Sequence, residues 1–347
     1  MSSLTHTAYM SRKIISFGSV GLVAFLVLWS VLTSAIKSYN TAYPAVIPPT
    51  VRYGRLPKIV FPEKQFNKKT FSLELPNDTF PKISEQAKVY VIYRPDSLFS
   101  ALEDDSKTAA QLAFNSKPIE MRVGLYQFQN PESSNTLIMN VFDGSFKLEY
   151  PYLNDQLLLT PERVPDKNEA IDIASDFLGS GDKLTDDLAN GEKNVSYWKI
   201  EMGALKQANS QSEAHIARVD FFRKNIDDNL KIVTNEPEKA AISILVSGSS
   251  VSDKRIVEVN YKYANIDRES FSTYPIKSTE SAWKELQSGN YWPVSDTETS
   301  SVVIRRIYLA YFEPVTLTNY MQPVFVFEGD NNFIAYVPAV TDDYTQK

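Results

Sequence analysis

Between Ile14 and Ile36 the chain runs for 23 positions without a charged side chain, with Arg12 and Lys13 before the run and Lys37 after it. As an α-helix this run is about 34 Å long, enough to cross a hydrocarbon core of about 30 Å. Secretory signal cores are shorter, about 7–15 apolar residues. The pattern therefore predicts an uncleaved transmembrane helix over 14–36, despite the small residues Thr33, Ser34 and Ala35 near its end.

No run of that kind recurs beyond Lys37. Five prolines (Pro44, Pro48, Pro49, Pro57, Pro62) and no helical period predict an extended, proline-rich stalk over 37–62. Alternating stretches rich in β-branched and aromatic residues predict strands at 88–93, 120–128, 136–142 and 146–150. Asp143-Gly144 is a hairpin turn signal, and a short helix fits 107–114. Pro165-Asp166-Lys167-Asn168-Glu169 reads as a capping box ahead of Ala170, Ile171, Ile173, Ala174, Phe177 and Leu178 at helical spacing, with Gly179 as the stop. Strands follow at 196–203, 214–222, 240–247 and 255–263. A second helix starts at Ser278-Thr279, turns Ala282, Trp283 and Leu286 inward and ends at Gly289. Strands at 302–312, 324–328 and 333–337 close the pattern.

The expected fold is α+β: one N-terminal transmembrane helix, then an extracytoplasmic body of antiparallel sheets with a few short helices. It divides into a cytoplasmic tail at 1–13, the transmembrane helix at 14–36 and the stalk at 37–62. Three α+β modules follow at 63–158, 159–238 and 239–347. The order of helix and strands hints at two related modules, about 160–235 and 240–340.

Charge sets the orientation. Arg12 and Lys13, with no acid in the tail, favour a cytoplasmic N-terminus and an exported body. Residues 1–62 hold six Lys/Arg and no Asp/Glu, while 63–347 hold the other 30 basic and all 42 acidic residues. A body near −12 lacks the basic footprint that nucleic-acid binding needs. The complete absence of cysteine excludes thiol nucleophiles, disulfides and Cys-type metal sites, and it leans toward a bacterial cell surface.

Candidate chemistry is sparse. His6 lies in the tail, so His215 is the one imidazole of the body; it sits in an alternating strand with Ala217, Val219 and Phe221 on its face, which reads as a half-buried, satisfied histidine. No G-x-S-x-G elbow accompanies it, and no Ser-x-x-Lys pair stands out as a nucleophile. Residues 225–229 with Glu236 loosely follow a calcium loop, but Asn225 and Leu230 occupy the positions that need Asp and Gly, so a solvated turn is expected. Residues 328–332 read as another turn. The sequence thus predicts no catalytic residue, no cofactor and no metal. The 42 carboxylates offer no distinctive pair for a hydrolase.

Two stretches carry a family resemblance. Tyr274-Pro275-Ile276-Lys277-Ser278 through Ala282-Trp283, Leu286 and Gly289 resembles the A-W-x-x-L-x-x-G helix of YycH/YycI-like extracytoplasmic regulators. Residues 307–314 and 320–329 are similar to the paired terminal strands of that group and of PepSY-like domains. The likeness covers about 70 residues of the C-terminal third. It implies a single-pass protein whose outer domain contacts and restrains a membrane sensor kinase, or a domain that modulates a peptidase, with no catalytic site to carry over. The expected role is non-enzymatic: lipid holds residues 14–36, and the exported body binds or regulates a membrane or envelope protein. Trp283, Trp292, Tyr311 and Tyr320 are the candidate partner surface. The alternative is a receptor for a small cell-envelope ligand, held in a pocket between modules.

Overall fold

The computed structural model describes residues 2–42, 48–64, 66–94, 97–159, 163–227, 229–236, 240–314 and 318–346. They form two compact units, Met1–Pro48 and Pro49–Lys347. The first is a single helix, α1 (Ser2–Ala42). Its segment Thr7–Tyr39, which contains an 18-residue stretch of mean hydropathy 2.2, is long and apolar enough to cross a membrane. The helix overruns the expected 14–36 at both ends because no Gly or Pro interrupts its flanks before Pro44. The hydroxyls of Ser16, Ser19, Ser30 and Thr33 donate to carbonyls three or four residues back, which hides them from an apolar medium.

The second unit begins with β1 (Thr70–Leu73), β2 (Gln86–Ile92), α2 (Leu98–Gln111), β3 (Ile119–Arg122), β4 (Leu125–Gln129), β5 (Thr136–Asn140) and β6 (Ser145–Glu149). It continues with α3 (Gln156–Leu159), α4 (Lys167–Ser180), α5 (Asp186–Ala189), β7 (Lys193–Glu201), β8 (Ala204–Gln207), β9 (Ile216–Phe221) and β10 (Lys231–Val233). It ends with β11 (Ile242–Ser247), β12 (Ile256–Tyr261), β13 (Ile266–Pro275), α6 (Thr279–Ser288), β14 (Trp292–Ser295), β15 (Ser301–Phe312), β16 (Tyr320–Gly329) and β17 (Ile334–Pro338).

These strands build two sheets. One is antiparallel throughout, in the order β3-β4-β5-β6-β12-β11-β9-β7-β8. Its large core packs Phe128, Met139, Phe146, Val219, Ile244 and Val259 against Ala170, Ala174 and Leu178 of α4. The period-2 and period-3.6 patterns meet there as the sequence anticipates. The other sheet follows β1-β15-β16-β17-β14, with β10 added to β15 and with β2 joining β13 to β16. β1 and β10 run parallel to β15 and the remaining pairs are antiparallel. Its central strand β16 is buried from Met321 to Phe327 because both faces are covered. Phe325 and Phe327 pack under Ala282 and Leu286 of α6. Val324 and Val326 pack on the opposite side with Trp292, Phe312 and Tyr336, beneath Ile59 and Phe61.

That second cover corrects the expected stalk. Residues 43–47 lie outside the described residues, but 49–62 are part of the body. Leu56 is fully buried and bridges Thr345. The Val51 N–H donates to the Thr273 carbonyl at 3.1 Å, and the Tyr53 N–H to the Tyr274 hydroxyl at 3.0 Å. Phe61 stacks on Trp292 with ring centroids 5.1 Å apart, and the Trp292 indole donates to the Pro62 carbonyl at 2.8 Å. An extended proline-rich segment suits this duty because its carbonyls and apolar side chains stay free for the sheet it covers.

The module boundaries are also corrected. β6, from the first expected module, pairs with β12 of the third, and β2 pairs with β13, so strand pairing cuts across 158 and 238. Strand 120–128 is a hairpin turning at Gly124, where φ is +77°. Strands β1, β8, β10, β13 and β14 escaped the pattern. The first helix starts at Ser97, whose hydroxyl caps the Ser100 N–H, rather than at 107. Asp166 caps α4 as expected, but Glu169 turns to Arg163 instead of closing the box, and the helix runs past Gly179 to Gly181. Ser278 and Gly289 bound α6 as read.

Phe61→Ala should lower the unfolding free energy by about 2–3 kcal/mol in urea titrations of the detergent-solubilised chain. A change below about 0.5 kcal/mol would mean that 49–62 is an unattached stalk after all.

Candidate functional site

The two sheets meet at a buried cluster of charges. Arg223 follows β9 of the nine-stranded sheet, Asp187 sits in α5, Tyr263 and Ala264 link β12 to β13, and Glu313 follows β15 of the other sheet. The Arg223, Asp187 and Glu313 side chains are only 5–6% exposed. Arg223 Nε donates to Asp187 Oδ2 at 2.7 Å, and Nη1 donates to Glu313 Oε1 and the Ala264 carbonyl, both at 2.9 Å. The Ala264 N–H also donates to Glu313 Oε1, at 2.8 Å. The Tyr263 ring lies 4.2 Å beneath the guanidinium, and its hydroxyl donates to Asp187 Oδ1 at 2.9 Å. A guanidinium is the one side chain that can serve two carboxylates, a carbonyl and a ring at once.

Burial alone would raise the Asp187 carboxyl, but the Arg223 charge and the Thr185, Arg223 and Tyr263 hydrogen bonds outweigh it and hold the group below the usual carboxylate range. Burial likewise opposes the Arg223 charge, and Glu313, Tyr263 and Asp187 more than offset it. The main chain closes tightly around the cluster. The Lys224 N–H donates to the Asp187 carbonyl at 2.8 Å, and a Cβ on Gly191 would lie 1.9 Å from the Phe222 carbonyl oxygen. Only glycine permits that approach.

Two clefts flank the cluster and share Lys262, Tyr263 and Glu313. One, of about 650 Å³, is lined by Arg223, Lys224, Lys231 and Tyr308. The other, of about 480 Å³, is lined by Tyr93, Arg218, Asn260 and Thr318. Their walls offer charged and aromatic surface, and both include Glu313, which Arg223 engages.

The four aromatic residues read as a partner surface do not form one. Tyr311 is fully buried and its hydroxyl donates to Asp227 Oδ2 at 2.9 Å. Trp292 is 8% exposed beneath Phe61. Trp283 is half-buried against Phe71 and Phe327. Tyr320 is half-buried against Tyr53 at 5.0 Å. Their rings complete four separate parts of the core rather than one exposed face. His215 is half-buried, as read: its Nδ1 accepts the Ile200 N–H at 3.0 Å, and burial and then Lys199 lower its pKa.

The 225–229 turn is less solvated than expected. Asp228 lies outside the described residues, but Asp227 turns inward with φ at +39°. Its carboxylate accepts from the Tyr90 hydroxyl and from Lys88 Nζ, each at 2.7 Å. Neither Asp227 nor the Arg223 cluster was visible beforehand, because their partners lie tens to more than a hundred residues away and no local period marks them.

No family model matches the chain, and no curated protein matches it. Among solved structures it is similar to an uncharacterised protein from Eubacterium rectale ATCC 33656, at 14% identity over 76% of this chain and 85% of that one, with a TM-score of 0.39. It is also similar to the Bacillus megaterium YpeB C-terminal domain, at 12% identity over 74% of this chain and 97% of that one, with a TM-score of 0.30. Neither likeness is close enough to assign chemistry to the site, and the YycH/YycI-like reading finds no counterpart in them.

Two measurements test the electrostatics. Arg223→Met should cost about 3–5 kcal/mol in denaturant titrations by stranding two buried carboxylates, while D187L/R223M/E313L stays within about 1–2 kcal/mol of the parent. A single variant no worse than the triple would remove the cluster's role. Asp105 of α2 is buried, its Oδ2 has no hydrogen-bond partner among the described residues, and burial raises its carboxyl to about 6 against the pull of Lys183. Its neutral form is fully present below about pH 4 in both folded and unfolded states, and the folded state loses its advantage as pH rises through about 6. Asp105→Asn should therefore match the parent at pH 4, gain about 1–3 kcal/mol by pH 6–7 and gain no more above it. A pH-independent difference would contradict the assignment.

Proposed function

We propose that the chain is a non-enzymatic, single-pass membrane protein whose body lies outside the cytoplasm and binds or regulates a protein partner in the cell envelope. The observation that carries this reading is the pairing of one membrane-competent helix with a body whose buried Asp187, Arg223 and Glu313 are engaged with one another. A tether of this kind confines the body to the membrane surface, so that a modest interface meets its partner at high effective concentration. Arg12 and Lys13 place the N-terminus in the cytoplasm on this reading. The order of α6 followed by antiparallel β15, β16 and β17 supports a PepSY-like role for the terminal third.

A second reading has its own observation. The two clefts beside Tyr263 and Glu313, about 650 and 480 Å³, have the size of small-ligand sites, which favours a receptor for a cell-envelope fragment. In-cell crosslinking of the full chain against a helix-deleted control separates the two. Reproducible capture of one membrane or envelope protein, lost on deleting the helix, is the expected result. Recovery of the chain alone would overturn the partner reading in favour of the receptor.

A further inference from the structure

Strand β15 is twelve residues long and unevenly paired. One edge is matched to β16 from Ile304 to Phe312. The other edge holds β1 at residues 301–304 and β10 at residues 310–312, both parallel, which leaves 305–309 without a strand on that side among the described residues. Strand β2 has the complementary gap. It pairs with β13 along its length, while among the described residues β16 meets its other edge at Tyr90 and Val91 and no strand lies beside Ala87–Val89 there. Both open edges line one groove of about 800 Å³, with Ala87 and Lys88 on one wall and Arg306, Ile307, Tyr308 and Leu309 on the other. The eight-stranded sheet is thus folded toward itself with a seam left unzipped.

Two features make the seam specific. One end is stoppered by Asp227, on which Tyr90, Tyr311 and Lys88 converge. Among the described residues the groove is lined by Lys82, Lys88, Lys231 and Arg306 and by one acid, Asp227. Lys88 pairs with Asp227 and Arg306 with Glu328, so Lys82 and Lys231 carry the excess positive charge, in a body where residues 63–347 carry 30 basic against 42 acidic side chains. Lys231 and Arg306 lie 5.8 and 5.5 Å from the centre of the Tyr308 ring, which holds both charges beside the open edge.

We propose that this seam is a docking slot for an extended acidic peptide, added as a strand beside β15. The inference rests on the partner-protein reading and names the chemistry of the partner segment. An open edge of five residues offers about 17 Å of main chain to pair with. Main-chain hydrogen bonds supply affinity in this mode and alternate side chains supply selectivity. Continuity with β1 and β10 sets the incoming strand parallel to β15. Glutamates or aspartates on the basic side then meet Lys82 and Lys231.

The test uses the full chain in detergent and three fluorescent decapeptides: alternating Glu-Val, alternating Lys-Val, and Glu-Val N-methylated at every second residue to block main-chain pairing. Anisotropy titrations should show saturable binding of Glu-Val, at least tenfold weaker binding of the methylated peptide and none of Lys-Val. Lys82→Glu/Lys231→Glu should weaken Glu-Val at least tenfold, whereas Lys117→Glu/Lys167→Glu, away from the groove, should leave it unchanged. Absence of Glu-Val binding, equal binding of the methylated peptide or equal loss in both double variants would each overturn the slot. In-cell capture of a partner through another surface would overturn the slot while leaving the partner reading intact.

Discussion

The Arg223 guanidinium is the point on which the architecture of the body depends. Following β9 of the nine-stranded sheet, it reaches the end of β15 while holding α5 and the β12–β13 link. Such a cluster is poor at adding net stability, since desolvating three charges cancels most of the Coulomb gain. Its contribution is geometric. Any other docking of the two sheets would bury two carboxylates without their cation, so alternatives are penalised far more than the native arrangement is rewarded. The clefts on either side exist because the cluster fixes the sheets at their shared edge and lets them diverge beyond it.

The segment at 49–62 extends the same logic to the outer face. β16 is buried on both sides only because Ile59 and Phe61 cover Val324, Val326 and Trp292. Without that cover a strip of aromatic and aliphatic side chains would face solvent, a strong invitation to aggregation. The stretch at 49–62 therefore belongs to the fold.

Local signals were legible in the sequence wherever they carry their own physics. The uninterrupted apolar run, the Asp166 and Ser278 caps, the Asp143-Gly144 turn and the alternation of 255–263 each correspond to an element of the structure, because burial on one face or a single side-chain hydrogen bond decides them. Long-range choices left no such trace. β1 and β10 are short strands whose exposed-and-buried pattern is set by β15, and β13 is interrupted by a bulge between Asp267 and Phe271 that breaks its period. The aromatic residues Trp283, Trp292, Tyr311 and Tyr320 were recognisable as important side chains, but whether a ring faces core or solvent depends on a cover, such as Phe61, that lies hundreds of residues away. Asp187, Arg223 and Glu313 are ordinary charged residues until the fold brings them together.

The account makes the body one cooperative unit, two sheets locked by one arginine rather than a series of modules. Hydrogen exchange of the full chain, read by mass spectrometry, tests this directly. Amides of β11 in one sheet and β16 in the other should exchange from the same global opening, with matching free energies and matching denaturant dependence. If either sheet opens at a distinctly lower free energy while the other remains protected, the sheets are independent and the central place given to Arg223 is wrong.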